Sequence, residues 1–214
     1  MIKDVKLMTV REYDEHCEKI MSDFLHEYFY KQLNPKTIER IIDKNRQIQG
    51  IDVILQIDDK IYTIDEKASI RYINLKTFAL ELSFIGKNGN VNIGWLLDEN
   101  KINDYYLLVW INELKHDAIY NINSIKNVDV ALVEKEKILN YLSTIGWNKE
   151  KLKIKNNNIR NNPYEYMGDI KKYNCKFSYS KQLIEKPINI LLPKETYIKL
   201  SEIYKNITMS TTPT

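Results

Sequence analysis

Cysteine occurs only twice in the 214 residues, as Cys17 and Cys175, and neither belongs to a CxxC pair. A disulfide framework or a zinc ribbon needs more thiols at closer spacing, so neither is expected. A reducing cytoplasm is the compartment this usage implies. Glycine is scarce too. The six glycines form no GxGxxG, no Walker loop and no GxSxG pattern, which argues against dinucleotide, P-loop and α/β-hydrolase chemistry. The three histidines, His16, His26 and His116, lack metal-ligand spacing. No window approaches the roughly 18 apolar residues of a membrane span. The opening MIKDVKLMTVREYDEHC has no basic patch followed by a long apolar run, so no signal peptide is expected.

What the chain does have is apolar bulk, at 43% of residues, which is enough for a core without staples. The length suits one domain with an appendage, or two small ones. The net charge of +3 is unevenly spread. Between residues 149 and 186, ten basic side chains stand against four acidic ones, a local balance of +6 that leaves −3 for the rest.

Thr9 and Glu12 make a capping box that opens a helix to about Leu33, with Ile20, Phe24, Tyr28 and Leu33 at helical spacing. Asn34-Pro35 then predicts a second helix to about Arg46. Residues 51–57 and 60–67 read as a β-hairpin turning at Asp58-Asp59. Further strands are expected at Thr77–Ile85, Tyr105–Ile111 and Val128–Val133, then a helix at Glu134–Ile145 closed by Gly146. Asn156–Gly168 reads as a loop or linker. Strands at Asn174–Ser180 and Ile188–Leu192, a helix from Pro193 to Asn206 and a frayed tail complete the expectation.

The hairpin GIDVILQIDDKIYTIDEK carries the chemistry. With a strand period of two, Asp65 and Lys67 share a face and Glu66 points away. In a tight hairpin, Asp52 at the start of one strand converges with Asp65 and Lys67 at the end of the next. Two neighbouring carboxylates are hard oxygen ligands suited to Mg²⁺, and a lysine beside them can hold a water or offset phosphoryl charge. This is the equipment of metal-assisted phosphodiester hydrolysis. The alternative reading is a turn aspartate at Asp52 and a same-face ion pair between Asp65 and Lys67.

Asp52, twelve intervening residues and then Asp65-x-Lys67 resemble the PD-(D/E)xK, restriction-endonuclease-like nucleases. The chain carries six (D/E)xK triplets, and only this one lies in an apolar strand with an aspartate at the matching end of the strand before it. IDEKAS, TFALELS and GWLLDENKINDYYLLVW are also similar to uncharacterised bacterial and phage members of that superfamily. Ile51 stands where the name-giving proline would be. The resemblance covers about residues 9–145. It implies a helix, a hairpin, further strands and a flanking helix, with Mg²⁺ (or Mn²⁺) held by Asp52, Asp65 and the Glu66 backbone carbonyl. It implies that Lys67 orients the attacking water. It also implies that Glu39 could supply a helix-borne ligand and Glu81 a catalytic carboxylate.

In the basic third, cations interleave with Tyr164, Tyr166, Tyr173, Phe177 and Tyr179. Lys153, Lys155, Arg160, Lys171, Lys172 and Lys176 are the candidate DNA contacts, since cations track phosphates and aromatics stack on bases. A solvated surface with tyrosines in a small sheet explains the same residues. The expectation is therefore an α/β protein: a nuclease-like core at 1–148, with a central mixed sheet flanked by helices, and a basic α+β extension at 149–214 packing on it. The expected activity is endonucleolytic hydrolysis of DNA, with a homodimer possible by resemblance. The alternatives are a catalytically inactive nuclease-fold protein that binds nucleic acid or a protein partner, and a structural protein with no nucleic-acid role.

Overall fold

The computed structural model describes residues 10–70, 72–116, 118–164 and 167–209. Thr9, Tyr166 and residues 210–214 of the tail lie outside them. The first helix, α1 (Val10–Leu25), runs on through a π-helical turn at His26–Tyr30 and a 3₁₀ turn at Lys31–Leu33. It ends at Asn34, whose φ of 49° is left-handed. The π turn places Phe29 and Tyr30, neighbours in sequence, both at 0% exposure.

The expected helix after Pro35 does not form. Thr37–Arg40 is instead an edge strand, β1, antiparallel to β2 (Val53–Ile57), with Thr37 opposite Gln56 and Arg40 opposite Val53. β-Branched Thr37 and Ile38 meet the free edge of a hairpin, and that pairing outweighs the local helix signal. A short helix, α2 (Lys44–Ile48), follows, and its N-cap Asp43 accepts a hydrogen bond from the Arg46 N–H at 2.9 Å.

β2 turns through Asp58-Asp59 into β3 (Lys60–Ser69), with Ile57 opposite Lys60 and Val53 opposite Ile64. β3 pairs on its other side, in parallel, with β6 (Tyr105–Leu114). β7 (Ile125–Glu134) and β10 (Ile203–Thr208) complete a six-stranded mixed sheet of order β1-β2-β3-β6-β7-β10. Between β3 and β6 the chain leaves this sheet. β4 (Thr77–Ile85) and β5 (Val91–Ile93) join β8 (Lys176–Tyr179) and β9 (Ile188–Pro193) in a four-stranded sheet of order β5-β4-β9-β8.

Alternation along β6 distributes the core. Tyr105, Leu107, Val109 and Ile111 face Cys17, Phe24, Phe29 and Tyr30 of the first helix. Tyr106, Leu108 and Trp110 face the second sheet, α3 (Lys135–Thr144) and α4 (Lys149–Asn161). At roughly 1.5–3 kcal/mol per buried large apolar side chain, these two clusters hold the layers together.

Two more sequence expectations are corrected. The stretch read as a loop from Asn156 is helical to Asn161, because Leu152, Asn156 and Ile159 form one stripe buried against the second sheet. The last helix, α5 (Lys194–Leu200), stops early, and Ile203–Thr208 pairs with β7. Within the stretch expected as the extension, 149–214, β8 and β9 belong to the four-stranded sheet and β10 edges the six-stranded one.

Candidate functional site

The hairpin entrance is shaped by Gly50, whose φ of 83° is left-handed and whose absent Cβ would lie 2.8 Å from Asn103 Oδ1. Two residues on, the Asp52 backbone N–H bonds the Ile64 carbonyl at 2.8 Å, locking the start of one strand to the next. The Asp52 side chain then accepts the Glu66 backbone N–H through Oδ2 at 2.8 Å. Asp65 and Lys67 are joined by an ion pair between Nζ and Oδ1. Glu66 turns to the opposite face, where Arg40 grips it with two nitrogens at 2.8 and 3.1 Å and Tyr30 donates its hydroxyl at 2.8 Å.

Asp52, Asp65, Glu66 and Lys67 all line one cavity of about 580 Å³, with α1 on its far wall. Asp65 is only 2% exposed, and its Oδ2 has no hydrogen-bond partner. Burial pushes its pKa up to about 6; Asp52 adds to the rise while Lys67 opposes it. Lys67 also lies 5.6 Å from the Trp95 ring centre.

Sequence reasoning overlooked Glu18. With Glu15, Lys19, Ser22 and Leu25 it forms a helical stripe of α1 facing the cavity. Burial raises the Glu18 pKa, with further rises from Asp14 and Asp52 and a lowering from Lys67. The signal was the polar stripe at 15, 18, 19 and 22, alongside the apolar one at 17, 20, 21, 24 and 25. Its meaning depended on which wall the helix would form.

The other nominated residues are placed elsewhere. Glu39 is on β1 rather than on a helix, and its carboxylate is 3.5 Å from Arg46 and does not line the cavity. Glu81, on β4, is also outside the lining; burial and Glu185 push its pKa up, and Lys67 and the Trp95 N–H pull it down. Arg160 is an internal brace, donating to Ser83 Oγ at 2.6 Å and the Lys186 carbonyl at 3.0 Å. Lys153 pairs with Glu99 at 3.6 Å, Lys155 lies 5.8 Å from the Phe177 ring centre and Lys172 5.1 Å from that of Tyr173. Lys171 and Lys176 are exposed. None of these cations lines the acidic cavity.

Two carboxylates are the donor set a Mg²⁺ ion commonly takes from protein, the remainder being water and substrate oxygens. The unpartnered Asp65 Oδ2 fits such an ion, although among the described residues no group of three or more His, Cys, Asp or Glu side chains is gathered to hold one. Nor do the described residues include a helix long and apolar enough to cross a membrane. Comparison with protein-family models, with curated proteins and with solved structures gives no match.

Proposed function

We propose that this protein is a Mg²⁺-dependent nuclease that hydrolyses DNA phosphodiester bonds endonucleolytically. The observation that carries the reading is the meeting of Asp52, Asp65 and Lys67 in one cavity, with a buried carboxylate oxygen of Asp65 left without a partner. A helix, the β2–β3 hairpin and further strands in one mixed sheet give added support, since these are the elements the resemblance implies.

Asp52 and Asp65 would hold the ion, and when bound it would supply Lewis-acid activation of the phosphate. Lys67 is tethered by Asp65 and is the donor available to orient a water and to offset charge on the phosphoryl oxygens. Asp52 is held in place by the Glu66 N–H, so its orientation is fixed before substrate arrives. With its pKa raised to about 6, the Asp65 carboxyl is only half ionised at that pH and is largely a carboxylate only at higher pH.

Plasmid and linear DNA incubated with and without Mg²⁺ or Mn²⁺ test the reading. Cleavage should require the metal and disappear in Asp65→Ala. Cleavage by Asp65→Ala at the parent rate defeats the assignment.

Among the described residues no third acid is gathered with Asp52 and Asp65 as a ligand set, and this, with the Lys67 ion pair, favours a second reading, a nuclease-fold protein that binds nucleic acid without cutting it. That protein would show salt-sensitive DNA binding with no need for Mg²⁺.

A further inference from the structure

The segment between β1 and β2 borders the cavity, with Ile41, Ile42 and Gln47 among its lining residues. Ile42 is 89% exposed and Ile48 is 69% exposed. Branched aliphatic side chains this bare are costly in water, and neither supports the core. Chemistry of the opposite kind stands between them: Lys44 is exposed, and the half-exposed Arg46 guanidinium meets Glu39 at 3.5 Å. Lys101, itself part of the cavity wall, donates to the Ile48 carbonyl at 2.7 Å and fixes the end of the segment. The Asp43 cap fixes its start.

We infer that this segment is a wedge for duplex DNA, with Ile42 and Ile48 entering the base stack while Lys44 and Arg46 contact the flanking phosphates. The inference rests on the nuclease reading for its partner and names the form in which that partner is held, a locally unstacked duplex. Three features point to DNA. The cavity lining sets five carboxylates against the four cations Lys19, Arg40, Lys67 and Lys101, so it has no net pull on a phosphate, and Lys44 and Arg46 on the neighbouring segment add the positive charge that a backbone contact uses. Apolar side chains flanked by cations are what unstacking a base step requires, because aliphatic groups replace the lost stacking while cations hold the backbone. The segment stands beside Asp52 and Asp65, so a step opened there presents its phosphate to the carboxylates.

The test uses the full chain with EDTA present and duplexes carrying 2-aminopurine at successive positions, whose fluorescence rises when a base is unstacked. Affinity is read separately by anisotropy. The parent should bind and raise the fluorescence severalfold at one or two positions. Ile42→Ala with Ile48→Ala should lose that rise while affinity changes only a few-fold, and Ile42→Leu should retain most of it. Both isoleucines are outside the core, and circular dichroism checks that the variants are folded. A bound parent without a rise, or an Ala variant with the full rise, overturns the wedge. If the parent cleaves DNA and gives no rise, the wedge falls and the nuclease stands. If the rise appears and no metal supports cleavage, the wedge stands and hydrolysis falls. No binding at low salt overturns both.

Discussion

Asp65 is where function and stability pull apart. Its pKa rises from 3.8 unfolded to about 6 folded, so the native state binds more protons in that window. Stability therefore falls as pH rises through it, by a few kcal/mol at most, at ~1.4 kcal/mol per pKa unit. Asp65→Asn should be cleavage-dead yet melt higher than the parent at pH 8, with the advantage gone below pH 4; thermal melts across pH measure this. Added Mg²⁺ should raise the parent's melting temperature and leave that of the Asn variant in place. Asp129 behaves in the opposite way. Burial would raise its pKa, but hydrogen bonds from Lys194, Tyr204, Asn206 and Asn112 outweigh it and hold the carboxyl down at about 2. Its contribution is full above the unfolded pKa of 3.8 and fades as pH falls toward 2. Asp129→Ala strands the buried Lys194 ammonium and should cost about 3–5 kcal/mol in urea unfolding. Pairing it with Lys194→Met should recover most of that loss.

At the scale of elements, the β2–β3 hairpin is what the sequence states most clearly. Its turn, period and acidic ends are local properties, and β4, β6, β7 and α3 announced themselves through long apolar or helical runs. The misread elements share a cause. β1 and β10 are edge strands whose helix-like spacing yields to a partner supplied from far along the chain, Gln56 for Thr37 and Val130 for Lys205. α4 contains Asn156-Asn157-Asn158, which reads as a loop until Asn156 is seen accepting from Ser83 at 2.7 Å. Glu18 was hidden for a related reason, since a helix stripe gains a role only from what it faces. Gly50 links this scale to the site. Gly50→Ala forces a left-handed alanine against Asn103, which should cost at least ~1 kcal/mol and displace Asp52. Mg²⁺ titration by calorimetry should show weaker binding in that variant than in the parent.

Taken as a whole, the molecule interleaves its two sheets. The C-terminal strands β8, β9 and β10 complete layers begun by the first half of the chain, and Glu202 reaches across to Lys60 at 2.7 Å. Ending the chain after Ser201 would remove β10, that ion pair and the Tyr204 and Asn206 bonds to Asp129. Such a truncation should lower the urea midpoint sharply and lose cooperativity, rather than leave an intact core with a missing appendage.

The parallel partnership of β3 with β6 has a kinetic consequence. β3 meets β2 across a two-residue turn, but it meets β6 only after the chain has traversed the excursion from Ile70 to Asp104. Closing the short turn takes microseconds, whereas pairing strands so distant in sequence is slower. Pulse-labelled hydrogen exchange during refolding should find the hairpin amides shielded first and the β3–β6 amides later. The acids would then be neighbours early, and the wall behind them would be the last part of the pocket to set.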